Sequence, residues 1–269
     1  MDARDVLQSR VAVARDWIER WDRQQEGFIP EREAQFTALV DAVEEVAGRP
    51  DPLVVDLGCG PGSLAVRLLR RLPRATVLAV DADPLLLELG RAAYPNLSSL
   101  RFVDADLRDP GWAHALALPG PVDAVVSTTA LHWLDPPALT DLYRAAHRLL
   151  RPGGLLLNGD ELVLDRQANP TLTRLDRAIL HRERDRRRPV AGGEGWHDWW
   201  AAIAGATDFA AANAERARRG HDGEHHVDLS PALDSHLAAL RSAGFAEIGV
   251  VWQRGENRLL CAVAEGRSS

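Results

Sequence analysis

The chain contains no lysine, and all 32 of its basic residues are arginine. Schiff-base chemistry, pyridoxal phosphate attachment, the P-loop lysine and the kinase β3 lysine are therefore excluded at once. Cysteine is almost as scarce. Cys59 and Cys261 are too few for a disulfide framework or a four-thiolate metal site, and both are expected to be reduced. No stretch approaches the ~18 apolar residues of a membrane span, and the acidic, arginine-dotted N-terminus lacks the apolar core of a signal peptide. A soluble, cytoplasmic protein without a membrane partner is the expectation. Positive charge is in deficit too: the net charge is −7, the wrong sign for gripping a phosphate backbone over a broad face. Small molecules are the expected partners, not nucleic acid. What is present is ordinary for a globular protein, with 46% apolar and 26% charged residues over 269 positions.

Organisation follows from periodicity. Val6, Val13, Trp17, Ile18 and Trp21 share one helical face; Phe36, Leu39, Val40, Val43 and Val46 repeat the spacing after Pro30, and RQQEGFIPE between them reads as a hinge. The tryptophan stripe reads as core packing. From Pro52 the pattern alternates. LVVDLG, TVLAVD, LRFVDAD, VDAVVS and GGLLLNG are short apolar runs separated by helical stretches, which predicts an α/β fold with a parallel sheet covered on both faces. Asp83 and Pro84 suit an N-cap and first helical position, and Pro152, Gly153 and Gly154 turn the chain into the fifth strand. Residues 161–228 then hold at least two helical segments where a sheet domain normally needs ~2 to 6 connecting residues, so a helical cap insert is expected there. The last part, 229–269, predicts a helix capped by Ser230 and ended by Gly244, then an antiparallel hairpin of FAEIGVVWQ and RLLCAVAE turning at RGEN. The predicted divisions are 1–50 (helical lid), 51–160 (core), 161–228 (cap) and 229–269 (end of the core).

The strongest motif is VVDLGCGPGSLA. A buried strand leads through Asp56 into glycines at 58, 60 and 62 and at once into a helix, so backbone passes close to a ligand at the strand's carboxyl end. The second strand ends in Asp81, 21 residues after Gly60, where a carboxylate can accept both hydroxyls of an adenosine ribose. Dinucleotide-binding proteins share that outline, but their GxGxxG places a glycine where Ser63 stands here. An acid at position 56 is also a poor neighbour for pyrophosphate and suits a cationic ligand better.

On these residues, from about Pro52 to Ser127, the chain resembles the class I S-adenosylmethionine-dependent methyltransferases. The resemblance implies a doubly wound, Rossmann-like seven-stranded sheet of order 3-2-1-4-5-7-6 with the last strand antiparallel. It implies S-adenosylmethionine as cofactor, with Asp56, Gly58, Gly60 and Gly62 around the methionine part and Asp81 on the ribose. An acid after the third strand would meet the adenine amino group. Asp104 and Asp106 are both candidates, Asp106 being favoured by its place at the strand's end. Cys59, Ala82, Leu107, Thr128 and Thr129 complete the expected lining, and Arg32 from the lid is a candidate for the cofactor carboxylate, with a solvated surface arginine as the alternative.

After the fourth strand comes STTALHWLDPP, in the place where loops build the ligand crevice. Base-modifying methyltransferases resemble one another in an acid-Pro-Pro-aromatic motif directly after this strand. Here Asp135, Pro136 and Pro137 come too late and are followed by Ala138, which argues against nucleic acid. ALHWL instead resembles the matching stretch of trans-aconitate methyltransferases and plant carboxyl methyltransferases, which implies a substrate contact from Trp133 aided by Gln24 or Gln25. Phe28, His225 and His226 are further candidates for the acceptor pocket. A carboxylate acceptor is already nucleophilic at pH 7, whereas a phenol or ammonium must lose a proton, for which His132 is the candidate general base. The expected reaction is in-line methyl transfer to oxygen of a small molecule, with a carboxylate ahead of a phenol. Nitrogen is an open alternative, and a nicotinamide-dependent oxidoreductase or a catalytically dead binding module are the rivals. GHDGEHHVD, with His221, Asp222 and Glu224 beside the histidine pair, lacks HExxH spacing and reads as a loop, so no metal is expected. The arginine run from Arg182 to Arg188 reads as a solvated helix end.

Overall fold

The computed structural model describes residues 3–29, 31–186, 194–220 and 231–265, the side chains of residues 3, 28, 183 and 184 excepted. In chain order these form α1 (Ala3–Phe28), α2 (Arg32–Ala47), β1 (Leu53–Leu57), α3 (Ser63–Arg71), β2 (Thr76–Asp81), α4 (Pro84–Ala93), β3 (Leu100–Asp104), β4 (Val122–Thr128), α5 (Pro136–Leu149), β5 (Leu150–Glu161), α6 (Pro170–Arg186), α7 (Trp196–Ala204), α8 (Ala210–Arg218), α9 (Leu233–Ala243), β6 (Phe245–Arg254) and β7 (Asn257–Ala264). The strands make one sheet of order β3-β2-β1-β4-β5-β7-β6. β1 to β5 are mutually parallel, and β7 runs antiparallel to both β5 and β6. That is the expected topology, and it brings the ends of β1, β2, β4 and β5 to one edge.

The burial pattern explains the parallel core: all five residues of β1 are buried, because helices cover both faces. On one face, Phe36, Leu39, Val40 and Val43 of α2 join Leu64, Leu68 and Leu69 of α3 over Val54, Val77, Ala124 and Leu157. On the other, Leu139, Leu142 and Tyr143 of α5 and Leu240 of α9 pack on Val55, Val125 and Leu260. Each fully buried leucine contributes about 1.5–3 kcal/mol relative to exposure. A third cluster lies outside α4, where Ala14, Trp17, Ile18 and Trp21 of α1 meet Trp199 and Ile203 of α7. The tryptophan stripe is thus core, with Trp17 and Trp21 edge-on to Trp199.

Asp83 caps its helix as the sequence predicts, while two other helix boundaries depart from the expectation. Asp83 accepts from the Leu85 and Leu86 N–H groups ahead of Pro84 at the first helical position. Asp135 does the same for Ala138, so Asp135-Pro136-Pro137 is a helix start. The expected hinge is shorter than RQQEGFIPE. α1 stays helical to Phe28, since nothing before Pro30 removes a backbone donor, and the chain reverses at Glu31 in the left-handed conformation (φ 61°). Ser230 lies outside the described residues, and the N-cap position of α9 is Ala232, which offers no side-chain bond. The segment between β5 and α9 holds α6, α7 and α8, where the sequence predicts at least two helices. No helix among the described residues is long and apolar enough to cross a membrane.

Candidate active site

The glycine loop is held by its own backbone. Cys59 N–H donates to the Val80 carbonyl at 2.9 Å and Gly62 N–H to the Cys59 carbonyl at 3.0 Å, which ties the loop to the end of β2. Gly58, Gly60 and Gly62 all have positive φ (65°, 54° and 91°), a conformation that costs an L-residue about 1–2 kcal/mol. Space adds a second constraint at Gly58, where a Cβ would lie 2.2 Å from the Ala130 Cβ beyond β4. Phe102 of β3 similarly seats against Gly62 and Gly90, which draws the loop, α4 and β3 together.

Asp81 sits where β2 ends. Its Oδ2 accepts from Gly60 N–H at 2.7 Å and its Oδ1 from Asp83 N–H at 2.9 Å. Loss of solvent nevertheless pushes its carboxyl up to about 6, the backbone donors only partly opposing that. Asp56 is 1% exposed, and its Oδ2 has no hydrogen-bond partner. Burial, reinforced by the Asp81 charge, pushes it up to about 7. Among the described residues no cation is paired with either carboxyl, and beside a loop that only glycine can make the two suit a ligand carrying positive charge and a diol. The sulfonium, ammonium and ribose of S-adenosylmethionine fit that donor and acceptor set. Cys59 is buried, and its thiol is pushed up by burial and by the Asp81 and Asp56 charges, which leaves it an apolar wall and not a nucleophile.

Both adenine candidates carry arginine. Asp106 holds Arg108 through both carboxylate oxygens, Nε donating to Oδ1 at 2.9 Å and a terminal nitrogen to Oδ2 at 2.7 Å. Asp104 holds Arg219, which also donates to the Ala82 carbonyl. Arg219 follows α8, and Arg216 of that helix donates to Asp83 Oδ2 at 2.8 Å. The insert is therefore tethered across the ends of β2 and β3. Sequence reasoning missed Arg216 and Arg219, since nothing in the pattern sets these two apart from thirty others. Leu107 is partly buried against the core.

Beyond β4, Thr129 adopts φ 52°, unusual for a β-branched residue, and its N–H donates to the Gly159 carbonyl of β5 at 2.8 Å. Thr128 pairs with Gly159 in the sheet. The chain then makes a 3₁₀ turn, Leu131–Trp133. His132 Nδ1 lies 2.8 Å from Asp160 Oδ1, and the His132 N–H donates to Asp160 Oδ2 at 3.3 Å. Burial lowers the basicity of this imidazole, but Asp160, aided by Glu161, outweighs burial and holds it above its ordinary value. Trp133 stacks beside His132 and is 50% exposed, so it does not plug the sheet. Asp160 is fully buried, and no motif had pointed to it.

From α1, Gln24 and Gln25 are both buried, and both amide atoms of Gln24 lack a hydrogen-bond partner. Trp21 comes within 3.8 Å of the position a Gly60 Cβ would take. Arg32 is not a solvated surface arginine: it is 6% exposed, bonded to Asp22 at 2.9 Å and stacked on Phe36. The Phe28 side chain, His225, His226 and the rest of residues 221–230 lie outside the described residues, as do Arg187 and Arg188.

Residues 54–154 match a family model described as a methyltransferase domain. The chain is 35% identical over 136 residues to a trans-aconitate 2-methyltransferase of Azoarcus sp., covering 51% of this chain and 49% of the relative. It is also 35% identical over 127 residues to the enzyme of that name from Deinococcus radiodurans, covering 46% and 44%. The chain thus spans about half the length of the curated relatives it matches. Among solved structures it superposes on an O-methyltransferase family protein from Burkholderia thailandensis (TM-score 0.55, 19% identity, 96% of this chain and 72% of the other). It also superposes on human N-acetylserotonin methyltransferase in complex with S-adenosylmethionine (TM-score 0.50, 18% identity, 97% and 56%). Sheet order and glycine loop are thus similar to those of class I S-adenosylmethionine-dependent methyltransferases, and residues 54–154 match a methyltransferase domain.

Proposed function

We propose that the protein transfers a methyl group from S-adenosylmethionine to an oxygen of a small molecule. The observation that carries this reading is the buried, uncompensated Asp56 beside Asp81 and the three positive-φ glycines. In this reading Gly58, Cys59, Gly60 and Gly62 lend backbone to the methionine part and Asp56 meets its positive charge. Asp81 and Ala82 take the ribose, Asp106 and Leu107 the adenine, and Thr128 and Thr129 the wall toward the acceptor. Arg32 acts through Asp22 to hold the lid, and Trp133 and Gln25 contact the acceptor. When bound, the cofactor supplies an electrophilic methyl on sulfur. The chain's own contribution is alignment and exclusion of water, which can provide up to ~7–11 kcal/mol. α1 and the insert of α6 to α8 are the covering elements, since α1 reaches Gly60 through Trp21 and α8 spans β2 and β3.

The relatives named for trans-aconitate and the O-methyltransferase neighbours support oxygen over nitrogen. The test is a pool of acidic, phenolic and amine metabolites incubated with methyl-labelled cofactor. Label in ester or ether products is expected, and label confined to amines, or absent, contradicts the reading.

A further inference from the structure

The last residues of β5 were silent in the sequence, yet they control the group most able to act on an acceptor. Asn158 and Asp160 are both fully buried. Asp160 Oδ1 lies 2.8 Å from His132 Nδ1, and the carboxylate accepts from the His132 backbone N–H and, at 2.8 Å, from the Glu161 N–H. Other elements also face it. His236 of α9 bonds through Nδ1 to the Tyr143 hydroxyl of α5 at 2.7 Å, and burial lowers that histidine to about 4, so it stays neutral and brings no counter-charge. Burial alone would raise the Asp160 carboxyl, but the His132 ring outweighs it and holds the group below its ordinary range. Asp160 is therefore ionised at neutral pH, and an ionised carboxylate only accepts hydrogen bonds. The proton of a neutral His132 must then sit on Nδ1, which leaves the lone pair on Nε2.

We propose that Asp160 is a positioning residue that fixes His132 as its Nδ1–H tautomer, so that Nε2 removes a proton from a hydroxyl acceptor of phenol-like acidity. This rests on the methyltransferase reading above and narrows its acceptor. A carboxylate has no proton to lose at pH 7, so it would gain nothing from such a base. It would also meet the wrong charge. The His132–Asp160 pair is neutral when the ring is protonated and −1 when it is not, and Glu161 adds to the negative side. Arg32 and Arg258, buried cations on neighbouring elements, are bonded to Asp22 and Asp176. In the step itself the hydroxyl proton passes to His132 Nε2 and the oxygen–methyl bond forms. The sulfur–methyl bond breaks with its electron pair returning to sulfur, and the imidazolium, stabilised by Asp160, later gives its proton to solvent.

The experiment is nitrogen NMR of the histidine rings in the ¹⁵N-labelled full chain, with His132 assigned by its loss in His132→Gln. The expected result is protonated Nδ1 and unprotonated Nε2 at high pH, with a titration midpoint above the ordinary imidazole value that falls in Asp160→Asn. A ring protonated at Nε2 instead, or a midpoint unmoved by the substitution, overturns the positioning role; should the variant not fold, the wild-type tautomer decides alone. A mixture of simple phenols and carboxylic acids with methyl-labelled cofactor tests the acceptor. Alkali-stable label whose rate rises with pH through the His132 midpoint supports a hydroxyl, and label released by alkali as methanol overturns it. Calorimetric titration with S-adenosylhomocysteine separates the two levels. Failure to bind sinks the methyltransferase reading, whereas binding with the wrong tautomer sinks only the inference about Asp160.

Discussion

Acidification should weaken cofactor binding in a way that reports on Asp56 and Asp81 directly. In the ligand-free chain these carboxyls stand at about 7 and about 6, each raised first by loss of solvent. A bound sulfonium and ammonium favour their ionised forms and draw both values back toward the ordinary range near 4. Binding below pH 7 must then release protons, and affinity must fall as pH falls. Each unit by which one pKa drops on binding is worth about 1.4 kcal/mol, so affinity should decline by a factor approaching ten per pH unit just below pH 7. The decline should steepen below pH 6, where Asp81 joins. The assay is isothermal titration of S-adenosylmethionine between pH 5.5 and 8.5 in buffers of differing ionisation enthalpy, which counts the protons released. Asp56→Asn should remove the upper step. Constant affinity across that range with no proton release would refute the reasoning that the pocket holds uncompensated carboxyls.

The same electrostatics predict a trade between binding and stability. Because the folded-state value of Asp56 is raised, the unfolded chain ionises first, and this group costs stability increasingly from about pH 4 to pH 7. Asp56→Asn should therefore raise the melting temperature of the ligand-free protein at pH 8 by the equivalent of a few kcal/mol at most while weakening cofactor binding, and an unchanged or lower melting temperature would contradict it. Gly58→Ala combines a positive φ with a Cβ 2.2 Å from the Ala130 Cβ, so chemical denaturation should show a loss of more than about 2 kcal/mol. Adding Ala130→Gly should recover part of that loss, because it removes the contact but not the φ strain. Trp133→Ala should change stability by no more than about 0.5 kcal/mol, since half of the ring is in solvent, and should raise the KM for the acceptor with little effect on cofactor binding.

The parts of the site legible in the sequence are those where backbone geometry dictates residue type. Gly58, Gly60 and Gly62 had to be glycine because φ is positive there, and Asp56 and Asp81 stand at strand ends that apolar runs had already located. Asp83-Pro84 announced its helix through a local hydrogen bond. What stayed hidden depends on distant chain segments. Asp160 looks like any acid ending a strand until β5 lies beside the turn after β4. Arg216 lies in α8 and Arg219 directly after it, and α8 is an alanine-rich helix with no buried residue and hence no apolar stripe to betray it. Gln24 and Gln25 fall in RQQEGFIPE, the stretch that reads as a hinge. Gly27 lies in the last turn of α1, where its backbone continues the helix to Phe28. Arg32 reads as a candidate for the cofactor carboxylate or as a surface charge, because its partner, Asp22, comes from the preceding helix.

The claim beneath the whole account is that the crevice above β1 and β2 receives a positively charged sulfur nucleoside and not linked phosphates. Titrating the full chain in parallel with S-adenosylmethionine and NADH tests it most directly. The account predicts saturable binding of the first at one site per chain, lost in Asp81→Ala, and no binding of the second. Binding of NADH that Asp81→Ala removes, with no response to S-adenosylmethionine, would contradict it.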